Sequence, residues 1–135
     1  MKKSISDLRK EREDKMSKMF SDLGIFFAFS NEQLVAGRKE GVTYVNAGAG
    51  MIIPKDNVEE FKKRHIQLFD EMEREYAENV PMDDYILYEL NNHEAFYTWS
   101  VDEAYEAVKQ YYPSCTIDDM NRVFKIESAK VNTEY

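Results

Sequence analysis

The residues with the best chemical credentials in this chain stand together in one short run, "NNHEAFYTW" (91–99), where one of only two histidines sits beside a glutamate. A histidine titrates near neutral pH, so His93 oriented by Glu94 reads as a candidate general base, with Asn92, His93, Glu94 and Tyr97 as the pocket to look for if the protein is an enzyme. Against this, neighbouring side chains on a strand point to opposite faces, and no nucleophile motif accompanies the pair. A metal reading would draw on His93, Glu89 and Glu94, yet the chain holds two histidines and one cysteine, and the spacing matches no metal motif. No metal site is expected. The structural reading ends a helix at Asn91 or Asn92 in the left-handed conformation, lets His93 bond the last carbonyls, and turns Phe96 and Trp99 inward. The second histidine, His65, falls on the apolar face of a long helical pattern and reads as a core or boundary residue.

Two further features invite a chemical reading. "NAGAG" (46–50) carries Gly48 and Gly50, but it has no lysine and leads into a strand pattern, so a turn or bulge is expected there and no nucleotide cofactor. Cys115 has no partner for an internal disulfide, which suits a reducing, cytoplasmic setting.

Charge is more telling than any motif. The net charge is −8, and residues 75–108 hold nine carboxylates with no lysine or arginine. Such a field repels nucleic-acid backbones and anionic membranes and attracts basic protein surfaces. Asp83, Asp84, Glu89, Glu94, Asp102, Glu103 and Glu106, interleaved with Tyr85, Tyr88, Phe96, Tyr97, Trp99 and Tyr105, therefore form a candidate partner-binding surface. The function read from it is a non-enzymatic, acidic protein-binding module. Alternatives are a DNA-mimicking inhibitor of a nucleic-acid-binding enzyme, and an enzyme of unrecognised type using the His93 and Glu94 region.

These residues have to be positioned by a small fold. At 135 residues, 43% hydrophobic and 33% charged, the chain suits one globular domain, and no apolar run approaches the roughly 20 residues of a membrane span. The lysines of "MKKSISDLRKERED" are followed by polar residues, unlike a secretion signal. An amphipathic helix is expected up to Leu23, closed by Gly24. Strands are expected at "IFFAF" (25–29), "VTYV" (42–45), "GMII" (50–53) and "AFYTW" (95–99). Ser30 with Gln33, and Ser100 with Glu103, fit capping boxes. Asp56 or Asn57 should cap a long helix over 58–77, Asp83 a helix ending near Asn92, and Thr116 a short helix before a frayed tail from Val131.

The stretches "FFAFSNEQLVAG", "AGAGMIIPKDNVEEF" and "ELNNHEAFYTW" resemble, in that order, a family of small uncharacterised proteins of phages and gut bacteria. The resemblance covers about 26–112 and implies a phage or mobile-element context and no established activity; in that context the acidic binding module reads as a modulator or inhibitor of a host system. It implies no catalytic residue. The expected architecture is α+β: a small, mostly antiparallel sheet of three to four short strands, helices packed on one face, and the N-terminal helix (1–23) as an arm on a single domain (24–135). The Met and Leu stripe of that arm leaves the chain a monomer or a homodimer paired through it.

Overall fold

The computed structural model describes residues 2–133. The fold is α+β, with seven helices and one three-stranded sheet among the described residues. In order these are α1 (Ile5–Leu23), β1 (Phe26–Phe27), α2 (Asn31–Gly37), β2 (Tyr44–Asn46), β3 (Met51–Pro54), α3 (Val58–Asn79), α4 (Met82–Asn92), α5 (Ala95–Thr98), α6 (Asp102–Tyr111) and α7 (Ile117–Thr133). The chain divides into two compact units, 9–70 and the combination of 1–8 with 71–135.

The unit spanning 9–70 holds the sheet. Its strand order is β1-β3-β2 and both pairings are antiparallel, with Phe26 opposite Ile52 and Val45 opposite Ile53. Alternation along β3 sends Met51 and Ile53 to one face, where Met16, Met19, Phe20 and Leu23 of α1 and Val58 and Phe61 of α3 close over them. Phe20 anchors this layer, edge-on to Phe27 at 5.4 Å and stacked with Phe61 at 6.4 Å. The chain leaves α1 through Gly24 at φ +70°, and the β2–β3 connection passes Gly48 at φ +92° and Gly50 at φ +79°, the turn that the "NAGAG" spacing predicts. Asn57 does not cap α3. Its amide donates to the Leu23 carbonyl (2.8 Å), satisfying an orphan group at the end of α1 instead.

In the other unit α4 is central, packing against α5, α6 and α7. Ile86 and Leu90 of α4, Ala104 and Val108 of α6, and Met120 of α7 are almost wholly buried, together with Leu8 and Met72. Tyrosines complete the packing. The Tyr112 hydroxyl donates to the carbonyls of Val80 (2.6 Å) and Tyr76 (3.1 Å), which ties the end of α6 to the Pro81 corner. Burial, with the Tyr76 and Asp84 charges behind it, pushes its pKa up to about 12.

Three expectations about element starts and types fail here, each for a local reason. "AFYTW" is a helical turn, α5, rather than a strand. The Tyr97 and Thr98 amides donate to the Glu94 carbonyl (2.9 and 3.1 Å) and the Trp99 amide to that of Ala95 (2.9 Å), so the backbone is satisfied without a neighbouring strand. Ser100 does not cap α6. Val101 occupies that position, and the Ser100 hydroxyl reaches the Asp102 amide only at 3.5 Å. Asp83 does not cap α4 either, because the helix starts after Pro81 and the Asp83 carboxylate is held by Arg122 of α7 through two 2.8 Å hydrogen bonds.

The other caps form. Ser30 Oγ accepts from the Gln33 amide (3.2 Å), while Gln33 Oε1 reaches back one residue further, to the Phe29 amide (2.6 Å). Thr116 and Asp119 make a reciprocal box at 3.2 and 2.9 Å, and α7 runs well beyond the short turn its sequence suggests. The tail expected to fray from Val131 is helical through Thr133, and Glu134 and Tyr135 lie outside the described residues.

Two predictions follow from these contacts. Ser30→Ala and Thr116→Ala should each lower stability by about 0.5 to 2 kcal/mol, whereas Ser100→Ala should lie within about 0.5 kcal/mol of the parent, read from urea midpoints. Equal losses in all three would overturn the cap assignment. The second concerns Asp83, whose carboxyl Arg122 holds below its usual 3.8. A lowered folded-state pKa gives stability that is present above the unfolded value and lost as pH falls through the folded one. The parent should therefore exceed Asp83→Asn in stability by a constant margin above about pH 5, and the two should converge as pH falls below about 4. A margin that persists at pH 2 would show that the carboxylate charge is not involved.

Candidate functional site

The histidine that opened the sequence reading is held by its own helix. His93 lies one turn beyond Glu89 on α4, and its Nε2 stands 3.2 Å from Glu89 Oε2. Glu89 is only 5% exposed, and Tyr85, itself buried, stands one turn before it on α4. Burial first, and the Glu89 charge second, push the Tyr85 pKa far up, so this phenol stays protonated. The second nitrogen of His93, Nδ1, lies 3.6 Å from Glu103 Oε2 in the first turn of α6. His93 thus joins a buried carboxylate to an exposed one and fixes the end of α4 beside the start of α6.

Glu94 is not the carboxylate that orients His93. It is exposed and sits at φ 55°, ψ 33°, in the left-handed region, and sends the chain into α5. The joint predicted at Asn91 or Asn92 therefore falls at Glu94, two or three residues later, and His93 bonds a side-chain carboxylate rather than the last carbonyls of the helix. Asn92 and Tyr97 are also exposed, so the four residues proposed as a pocket lie along an outer turn. Trp99, at φ 58°, closes the same turn. A left-handed conformation costs a non-glycine residue on the order of 1 to 2 kcal/mol, and this four-residue helix has one at each end. Ala95, fully buried, and Phe96, stacked on Phe124 of α7 at 5.0 Å, hold it in place.

That arrangement turns two aromatics outward. Tyr97 is 89% exposed and Trp99 73% exposed, against the expectation that Trp99 packs inward. Trp99 keeps one edge contact, with the Phe124 ring at 5.7 Å, which sets its orientation and leaves most of its surface free. The remaining aromatics of the acidic stretch have other duties. Tyr85 is core, Tyr88 stacks on it at 5.9 Å, and Tyr105 lies under the Lys109 ammonium at 4.6 Å.

The candidate carboxylates separate in the same way. Glu89 is buried and Asp83 is engaged with Arg122, while Glu106 pairs with Lys109 at 3.3 Å. Asp84, Glu94, Asp102 and Glu103 are exposed, and among the described residues no lysine or arginine pairs with any of these four. The sequence marks this region as acidic but cannot tell which carboxylates are spent inside the fold. The Arg122 clamp in particular comes from 39 residues away. His65, expected at a core boundary, is exposed and touches only the Phe61 ring, at 5.5 Å, among the contacts seen. Buried Cys115 has its thiol pKa raised by burial, with the Asp119 and Asp83 charges adding to it, which disfavours the thiolate.

Among the described residues no cluster of three or more His, Cys, Asp or Glu side chains is placed to hold a metal, and no helix is long and apolar enough to cross a membrane. No curated protein and no solved structure matches the chain. A family model does match, over residues 8–133, which takes in every element described above except the first residues of α1, and the chain belongs to that family, DUF7659, a family of unknown function.

Proposed function

We propose that the protein is a non-enzymatic protein-binding module whose contact surface is the α5 turn, with Tyr97 and Trp99 as anchors and Glu94, Asp102 and Glu103 as an acidic rim. The observation that supports this reading best is the exposure of the two aromatics on a turn bounded by two left-handed, non-glycine residues. Tyrosine and tryptophan are the side chains that most often dominate binding energy at protein interfaces. Ala95 and Phe96 pack the turn in place, and the strained residues on either side of it leave the two rings outward, where a partner can use them. The rim selects a partner with a basic surface, speeds encounter, and disfavours nucleic acid and anionic membranes. A modulator that occupies a basic face of a host protein, in the phage or mobile-element context that the resemblance implies, would act through such a surface. Imitation of DNA is a less economical use of it, because two of the nine carboxylates of 75–108, those of Glu89 and Asp83, are committed to buried or clamped positions.

The experiment is capture of partners from lysate with the parent, with Tyr97→Ala/Trp99→Ala, and with Glu94→Gln/Asp102→Asn/Glu103→Gln. Melting is followed in parallel to confirm that the variants are folded. The aromatic pair should lower retention of a specific partner by about thirtyfold or more, as expected for two anchors worth about 2 kcal/mol together. The neutral triple variant should slow association chiefly at low salt, where the Debye length is about 10 Å, and less near 1 M, where it is about 3 Å. A partner retained fully by both variants would place the interface elsewhere and overturn the reading.

A further inference from the structure

The protein already contains one completed example of the arrangement that the α5 turn leaves open. On α6 the Lys109 ammonium lies over the Tyr105 ring at 4.6 Å and beside the Glu106 carboxylate at 3.3 Å, so an aromatic face and a carboxylate share one cation. At the α5 turn the aromatic faces are Tyr97 and Trp99, and Glu94 leads into the turn. Asp102 and Glu103 follow just after it, with Glu103 brought to its base by His93. No lysine or arginine occurs between 75 and 108 to fill that position, and among the described residues none from elsewhere pairs with these three acids.

From this juxtaposition we infer that the turn receives an arginine side chain from a basic segment of the partner protein, its guanidinium lying on the Trp99 ring and its N–H groups directed to the rim carboxylates. The inference rests on the binding reading above and narrows it to one kind of occupant. Arginine fits better than lysine for two reasons. Its planar, weakly hydrated guanidinium stacks on an indole while its edge still donates to carboxylates, whereas an ammonium must be stripped of tightly held water to do either. Indole is also the strongest of the aromatic cation acceptors, and Trp99 is the only tryptophan in the chain. The edge contact with Phe124 supports one side of the ring and leaves its remaining surface open to a guanidinium.

Because Trp99 is the sole tryptophan, its emission reports on the site directly. The full chain would be titrated with hexaarginine, hexalysine and a neutral Gly/Ser hexapeptide at fixed ionic strength. Binding would be followed by Trp99 fluorescence and, for variants lacking the fluorophore, by calorimetry. Hexaarginine should change Trp99 emission saturably and bind at least about threefold more tightly than hexalysine, the neutral peptide should not bind, and Trp99→Leu should weaken hexaarginine by about three- to thirtyfold. Trp99→Phe, which keeps a ring, should recover part of that loss, a response that general charge attraction would not give. Equal affinities for the two basic peptides, unchanged in Trp99→Leu, would reduce the site to a diffuse acidic field and overturn the inference. So would failure of both peptides to bind. If lysate capture still depended on Tyr97 and Trp99 in that case, the binding reading would stand with a different occupant. A concentration-dependent emission shift of the chain alone would assign the turn to a second copy and likewise overturn the inference.

Discussion

A carboxylate that is 5% exposed has to be partnered, and much of the site's geometry depends on how Glu89 meets that requirement. Leaving it bare would cost several kcal/mol, which exceeds what most single contacts supply. The helix solves the problem along its own axis, with His93 one turn later and its Nε2 3.2 Å from the carboxylate. Because His93 is fixed by that bond, its other nitrogen faces Glu103, and the start of α6 is registered against the end of α4. The eight residues from Glu94 to Val101 must close the gap between those two fixed points. They do so with one turn of helix and a left-handed residue on each side of it.

The distribution of aromatics follows from the same frame. Tyrosines can place rings in the core while their hydroxyls find acceptors, as Tyr112, just past α6, does at two carbonyls. Ring pairs such as Tyr76 with Tyr111, at 4.5 Å, fill the space between these helices. Phe96 and Phe124 continue this packing to the surface. Trp99 lies at the end of that stack, edge-on to Phe124 where the chain leaves α5, and its ring stays largely exposed. Its exposure is a result of where the turn must end, which makes it available for a contact from outside.

How much of this was legible in the sequence depended on whether the signal was local. Apolar periodicity placed α1 and α3 closely, the glycines at Gly24, Gly48 and Gly50 marked real positive-φ turns, and the Ser30 and Thr116 caps formed as their spacing suggested. "AFYTW" misled because its composition is that of a strand, while its structure is decided by Ala95 and Phe96 packing on α4 and α7. Ser100 failed as a cap because the left-handed Trp99 shifts the helix start to Val101, a backbone event that no side-chain spacing reports. The candidate surface was legible as a region and not as residues. Burial of Glu89 and the clamp on Asp83 both depend on elements far along the chain.

The sorting of those carboxylates also bears on why an acidic segment of this density is compatible with a folded unit. Like charges crowded on one face repel, and nine carboxylates without a basic residue among them would oppose compaction if all faced water together. The fold relieves this by drawing cations from outside the segment, Arg122 to Asp83, Lys109 to Glu106 and Lys3 to Glu75, while His93 stands between Glu89 and Glu103. Exposed pairs of this kind each contribute little, about 0 to 1 kcal/mol, but they consume charge. Among the described residues, the carboxylates of the segment left without a lysine or arginine include Glu78, Asp84 and, around the α5 turn, Glu94 and Asp102, near the exposed rings of Tyr97 and Trp99. Pairing the other carboxylates internally therefore leaves the α5 turn, with its exposed rings, as the place proposed above to receive an outside cation.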